Sequence, residues 1–536
     1  MLGAPRPGTQ NGAVTTELGP PHAAGDDAIP VDTAPPGGAA DLSALPSDTA
    51  RPGGAADLSA LPSGTSTPPD TAAALAAAAH DRTATGIAAA VSRRIRSGAL
   101  PPGTRLPTVR EVARELRVSP ATVNQAWRAL AATGAIVARG RAGTFVEDLP
   151  HLRQAPAVGR YQRLHPHSDN AFRIDLSRGT PDPALLPDLT AALRALHGDD
   201  RIDDLSATYL GDAVLPELEA AIRADWPARA ERFTVLDGAL DAVDRLLAAH
   251  VHLGDAVIVE NPCFPPFLDL LARLAARPVP VDVDRAGLLP DRLAAALAAH
   301  TPVAVLLQPR AQNPTGASLT AQRVRQLADV LSDAAVIAGV TPMIIEDDHS
   351  AGITTAPLRS LATRLPARTV HIRSYSKSHG ADLRLAAVGG PAAHLDPVLE
   401  RRMLGPGWSS RLLQRVLLHM LTDDTARARI TEARTRYRTR ADALRKSLSR
   451  HDIHLPRGDG INLWFPVADE NAALISLAAA GIKAAPGGPF EVTDHPHTDH
   501  LRLTIAALPT HEIDEVATQL ATAATATPTY RRIRRP

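Results

Sequence analysis

The chain concentrates its chemistry in one short stretch, Ser374-Tyr375-Ser376-Lys377-Ser378-His379-Gly380-Ala381-Asp382-Leu383-Arg384. Lysine is scarce: 3 lysines stand against 54 arginines, so a lysine here stands out from its background. An amine that must form a Schiff base cannot be exchanged for a guanidinium, which stays protonated and non-nucleophilic at working pH. The serines around Lys377, with Arg384 further along, supply the charge-assisted hydrogen bonds that a phosphate needs. On this stretch alone, a solvated lysine on a surface loop competes with the chemical reading.

Other apolar runs end in complementary groups. Glu346-Asp347-Asp348 closes one, and a buried Asp347 is suited to keeping a pyridinium nitrogen protonated, which makes pyridoxal 5'-phosphate an electron sink. Asn313-Pro314-Thr315-Gly316 offers the Asn313 amide to that cofactor's phenolic oxygen. Glu260-Asn261-Pro262-Cys263-Phe264 puts the Phe264 ring where a heterocycle could stack. Each feature alone is usually structural, but their order along the chain, with Lys377 and Arg384, makes a joint signal.

These groups need strand ends to hold them. Apolar runs at 256–260, 279–283, 303–308, 343–348, 369–374 and 384–389 read as buried strands, with helices near 240–249, 265–276 and 321–332 between them. That alternation predicts an α/β domain with a mostly parallel sheet, whose ligands collect at strand carboxyl ends. Beyond about residue 407 long helices follow (409–422, 423–449), then a smaller α+β unit ending near residue 525.

The N-terminal part is different. Residues 1–80 are rich in Ala, Pro and Gly, and residues 32–47 are repeated at 48–63 with one change, Pro35 against Arg51. Such a repeat cannot bury a face and is expected to be disordered. From residue 83, Ile87, Val91 and Ile95 space an amphipathic helix, and Thr108 with Glu111 forms a capping-box pair for a second. Ser119 caps a third with Pro120 in its first turn. That helix buries Val123, Ala126, Trp127 and Leu130 and presents Ala121, Thr122, Asn124, Gln125 and Arg128. Two short alternating segments then meet through Gly140-Arg141-Ala142-Gly143 as a hairpin. This is a winged helix-turn-helix pattern. Residues 83–146 hold 10 arginines against 2 glutamates, a net charge of +8 in a chain whose total is +0, as phosphate-backbone binding requires.

Residues 101–146, PPGTRLPTVREVARELRVSPATVNQAWRALAATGAIVARGRAGTFV, resemble the GntR family of regulators. The resemblance implies that Arg105 and Arg110 grip phosphates and that Ala121, Thr122, Asn124 and Gln125 face base edges, with Arg128 on the same face. Arg141, Gly143 and Thr144 would place the wing. Residues 173–525 resemble the fold type I pyridoxal-phosphate aminotransferases. Together the two halves look like the MocR subfamily, in which an aminotransferase-like domain is the effector domain. By that resemblance Lys377 carries the Schiff base, Asp347 pairs the ring nitrogen, Asn313 the ring oxygen, and Phe264 stacks. Ser374, Ser376 and Arg384 would hold the phosphate, Tyr209 would reach the partner subunit's phosphate, and Arg502 would clamp a substrate or effector carboxylate. Departures accompany the match. His349 stands where the family has a tyrosine, and Gly238-Ala239-Leu240 replaces a Gly-Ser-Gln-like phosphate turn.

The expected organisation is a tail (1–80), a winged helix-turn-helix (81–147), a linker (148–172), a cofactor-binding large domain (173–406), a small domain (407–526) and a basic tail (527–536). The expected partners are operator DNA and an effector, either the cofactor or an amino compound, bound by a cytoplasmic homodimer. The alternative is an active aminotransferase with an accessory DNA-binding head. The single cysteine, Cys263, excludes internal disulfides. No apolar run suits a membrane span, and the crowded 494–500 loop reads as solvated, so no metal is expected.

Overall fold

The computed structural model describes residues 82–96, 99–132, 135–147, 159–164, 172–197, 211–492 and 499–527, with Ala72, Leu75 and Ile202. The 32–63 duplication, Tyr209, the 494–498 part of the His-rich loop and the basic 530–535 segment lie outside the described residues.

Ile87, Val91 and Ile95 form the buried stripe of α1 (Ala84–Arg96). α2 (Val109–Leu116) starts on the expected capping box: the Thr108 hydroxyl accepts the Glu111 N–H, and the Glu111 carboxylate accepts the Thr108 N–H at 2.7 Å. Ser119 Oγ accepts the Thr122 N–H at 3.1 Å and opens α3 (Pro120–Ala132). β1 (Ile136–Ala138) and β2 (Thr144–Val146) pair antiparallel, and Arg105 bridges to Phe145 along their edge. Gly143 has φ 111°, a conformation that disfavours an L side chain, and a Cβ there would lie 2.8 Å from Arg105 Nε and push that side chain aside.

β4 (Arg232–Leu236), β5 (Ala256–Asn261), β6 (Arg277–Asp284), β7 (Gly287–Leu288), β8 (Ala304–Leu307), β9 (Met343–Asp348), β10 (Thr369–Ser374) and β11 (Ala386–Gly390) make one sheet, ordered β4-β11-β10-β9-β8-β5-β6-β7. From β10 to β6 all neighbours run parallel. β11 is antiparallel to β10 and β4, and β7 is antiparallel to β6. Every residue of β5, β8, β9 and β10 is buried, because helices cover both faces. α4 (Ala239–His250) and α5 (Pro265–Arg273) pack on one side, and the helices Pro290–Ala299 and Ala321–Ala338 on the other. β4 and β7 escaped the sequence reading for a physical reason. One is an edge strand that starts exposed and the other is two residues long, so neither shows an unbroken apolar run.

The C-terminal unit sets α6 (Asp424–Ser449), α7 (Glu470–Ala479) and α8 (Ile513–Ala524) against an antiparallel sheet. Its order is β12 (Asn462–Val467), β15 (Asp499–Thr504), β14 (Ala485–Pro486). β3 (Ile174–Asp175) pairs parallel with β13 (Ile482–Lys483). Leu176 continues this attachment, donating to Lys483 O at 2.8 Å and accepting from Thr504 N at 2.7 Å. The chain after residue 172 therefore enters the C-terminal unit first, not the large one. α7 is apolar on two sides: Ala473 and Leu477 belong to the C-terminal core, Ile475 and Ala479 to the core of the winged helix. A helix apolar all round is a helix buried from both sides.

Candidate functional site

The carboxyl ends of β10, β9, β8 and β5 lie side by side and deliver Ser374, Asp347, Gln308 and Asn261 to one place. Lys377, three residues beyond β10, turns back over them. Its ammonium meets His349 Nδ1 at 2.5 Å, and burial, with Arg502 nearby, lowers its pKa to about 8 against the opposing pull of Asp347. A lysine so tuned is available as a neutral nucleophile near physiological pH.

Asp347 is buried, with its pKa pushed up to about 6, mainly by desolvation. Its Oδ2 accepts from Gln308 Nε2 at 2.8 Å, whereas its Oδ1 is buried with no hydrogen-bond partner. A buried carboxylate oxygen left this way costs free energy unless a donor meets it, and a pyridinium N–H is such a donor. Gln308 also fixes Asn313, whose N–H donates to Gln308 Oε1 at 2.8 Å. Phe264, partly exposed, caps α5 and packs edge-on against Phe267 with centroids 5.3 Å apart.

The N-terminus of α4 brings backbone amides and an arginine together. α4 begins at Gly238 with no side-chain cap, so Ala239 and Leu240 present N–H groups at a helix N-terminus, an anion-favouring end. Arg384, at φ 48°, donates to Asp237 O at 3.2 Å and lies against Gly238, where a Cβ would be 2.5 Å from its Nη2. Ser374 Oγ accepts from Ser376 N at 3.4 Å. With no hydroxyl in Gly238-Ala239-Leu240, the amides and Arg384 are the anion-favouring groups at this end. The donor set fits a pyridoxal phosphate: an orphan carboxylate oxygen, a lysine, an amide and an uncapped helix end.

His349, where the resemblance expects tyrosine, is buried and held neutral by desolvation and by Lys377. Its Nε2 lies 2.9 Å from Ala311 O, so that nitrogen carries the proton. Nδ1 is then an acceptor, shared by Lys377 and the Ser350 hydroxyl at 2.9 Å.

Above the lysine, buried Arg502 donates to Ser177 O at 2.7 Å and Thr504 Oγ1 at 2.5 Å. Asn462 joins this group to Asn313, its Oδ1 accepting from Thr504 at 2.9 Å and its Nδ2 donating to Asn313 Oδ1 at 3.3 Å. Gln308, Ser177 and Thr504 escaped the sequence reading. Gln308 left a trace, a polar residue ending the apolar 303–307 run, but nothing local marks Ser177 or Thr504. Beneath the site, Glu346 accepts from Ser360 Oγ at 2.5 Å and lies 2.9 Å from His371 Nδ1, and Asp348 takes a bidentate pair from Arg310 at 2.8 and 2.7 Å.

On the winged helix, Ala121, Asn124, Gln125 and Arg128 are exposed along α3, and Arg105 and Arg110 are exposed beside it. Thr122, expected at base edges, is instead half-buried, its hydroxyl 2.9 Å from that of Ser119. Gln125 donates its amide to Ala479 O of α7. Arg141 lies in the 3-10 turn Gly140–Ala142, before Gly143 and Thr144 at the wing.

Two family descriptions match the chain: bacterial regulatory proteins, gntR family, over residues 83–146, and aminotransferase class I and II over residues 173–520. The vitamin B6 salvage pathway transcriptional repressor PtsJ of Salmonella typhimurium is 34% identical over 449 residues, 82% of this chain and 98% of that protein. The chain belongs to the MocR subfamily of GntR regulators. The HTH-type transcriptional regulator TauR of Rhodobacter capsulatus is 28% identical, over 81% of this regulator and 94% of its own length. The kynurenine aminotransferase of Pyrococcus horikoshii superposes with a TM-score of 0.59 at 19% identity, over 66% of the regulator and 91% of that chain. It bears out the aminotransferase fold. Among the described residues no helix is long and apolar enough to cross a membrane, and no His/Cys/Asp/Glu group could hold a metal.

Proposed function

We propose that this regulator binds pyridoxal 5'-phosphate at Lys377 and uses that site to sense the cofactor or an amino compound, and so controls its winged helix on operator DNA. The observation that carries the reading is the buried, unpartnered Asp347 Oδ1 beside a lysine of lowered pKa. The bound group would supply a covalent handle for amino compounds and an electron sink. The chain's own residues do the rest. Asp347 would accept a hydrogen bond from the protonated ring nitrogen and keep it protonated, Asn313 would face the ring oxygen, Phe264 would cover the ring, and Arg384, the α4 amides, Ser374 and Ser376 would hold the phosphate. Arg502 takes an effector carboxylate bidentately.

The unit acting on DNA is a homodimer, as paired half-sites demand. Leu189, Leu193, Leu240, Met403, Leu404 and Leu412 stay exposed on the single chain, in keeping with a further surface to cover, and Tyr209 is assigned to the partner's phosphate. With its single cysteine the protein suits a reducing cytoplasm. A second reading, an active aminotransferase, is favoured by the assembled Arg502, Asn462 and Thr504 group.

The test is a visible absorption spectrum of purified protein with added cofactor, before and after borohydride. A lysine-bound band that Lys377→Ala removes, together with an effector response lost in that variant, supports sensing. No band, or an intact response in Lys377→Ala, refutes it. Rapid conversion of bound cofactor to its pyridoxamine form, with release of a keto acid, would favour the enzyme.

A further inference from the structure

The face of α3 that the sequence assigns to base edges opens onto a cleft of about 360 Å³, bounded on the other side by Phe172, Ala478, Ala479 and Gly481. Water reaches these side chains; a duplex cannot. To be read by α3, B-DNA must bring its major groove, about 12 Å wide, around that helix with a phosphate strand on each side. α7 stands where a strand would pass. The contact is built into both partners. Gln125 donates to Ala479 O, Ile475 and Ala479 complete the core of the winged helix, and α7 carries a second apolar side that no role in its own unit requires.

We infer that docking of α3 on α7 is an autoinhibitory contact: this arrangement is a DNA-excluding state, and undocking precedes operator binding. The inference deepens the proposed function and rests on it. Both ends of α7 are tied to the surroundings of Arg502, which gives the effector site a lever. At the N-terminal end, Glu470 accepts the N–H groups of Gly487 and Gly488 at 2.8 and 2.6 Å. The turn they begin ends at Phe490, whose ring lies 5.8 Å from the Arg502 guanidinium carbon and whose carbonyl accepts Cys263 N beside Phe264 at 2.8 Å. At the C-terminal end, Gly481 O accepts Ile174 N at 3.2 Å, and three residues further along the chain, just beyond β3, Ser177 O accepts from Arg502 Nη2 at 2.7 Å. A carboxylate that recruits Arg502 competes for the Ser177 and Thr504 bonds and so bears on both anchors of α7. Both states exist without the ligand, and a ligand shifts their populations only by its differential affinity.

The experiment uses the full chain loaded with cofactor and a fluorescein-labelled pool of random-sequence duplexes at low salt, read by anisotropy. Ala479→Arg and Ala479→Glu place bulk at the contact with opposite charge. Both are expected to bind the pool about tenfold more tightly than the unsubstituted protein, since affinity scales with the competent fraction. Charge alone would move the two in opposite directions, which would overturn the inference, as would two unchanged affinities. Because a buried alanine is replaced, hydrogen exchange on the unsubstituted protein provides a second arm that does not depend on the variants folding. Adding the duplex pool should speed exchange at 475–483, and unchanged or slower exchange there would overturn the inference. If no form of the protein binds duplex, the proposed function fails as well; if the unsubstituted protein binds and neither arm responds, only the autoinhibitory contact fails.

Discussion

Gly238→Ala tests the proposed phosphate grip separately from the rest of the proposed cofactor site. Gly238 has φ 105°, and an added Cβ would stand 2.5 Å from Arg384 Nη2. The backbone conformation alone disfavours an L side chain by ~1–3 kcal/mol. The clash is relieved more cheaply by moving the guanidinium, which is exposed and tethered here by a 3.2 Å bond to Asp237 O. What is lost is its position over the α4 terminus. One charge-assisted hydrogen bond contributes ~1.5–3 kcal/mol, a factor of roughly 10–150 in dissociation constant. The assay compares two probes by visible absorbance titration: pyridoxal 5'-phosphate and pyridoxal, which lacks the phosphate. The variant should lose affinity for the first in that range and hold the second within about threefold, a shift worth under 1 kcal/mol. Equal losses for both probes, or none for either, would refute the assignment of Gly238, Ala239 and Arg384 to the phosphate. A thermal melt without cofactor reports any cost to folding separately.

Burial raises the Glu260 pKa to about 8, so the folded protein keeps a proton on it that the unfolded chain releases near the ordinary carboxylate value. Stability should therefore fall as pH rises towards about 8, by up to ~1.4 kcal/mol per pH unit from this residue, and Glu260→Gln should flatten that slope in denaturant titrations at several pH values. Arg110→Ala should weaken binding to all duplex sequences alike and reduce the slope of log affinity against log salt by about one, because an exposed arginine beside the reading helix meets phosphate rather than base. Leu130→Ala empties a fully buried position in the winged helix and should cost ~2–5 kcal/mol, lowering the melting temperature and abolishing DNA binding, with the cofactor spectrum kept.

Much of this protein follows from local sequence. The capping box at Thr108 and Glu111, the Ser119 cap and the 3.6-residue spacing of Ile87, Val91 and Ile95 are decided within one helical turn, and the structure forms each of them. The buried strands likewise announce themselves by short apolar, β-branched stretches, and β9 and β10 span the residues expected of them, their polar and charged ends included. Lys377 stands out because arginine cannot replace it and the chain otherwise uses arginine. Tertiary structure alone decided which groups meet. Gln308 became the residue that orients both Asp347 and Asn313 because β8 lies next to β9, and adjacency in a parallel sheet is not written in either strand. Ser177 reached Arg502 through a two-strand pairing between segments more than 300 residues apart, which sent residues 172–177 to the C-terminal unit. The two-sided burial of α7 is the sharpest case. Its composition declares a helix with no polar face, but only packing reveals that the second side is spent on the winged helix, across the face expected to read DNA.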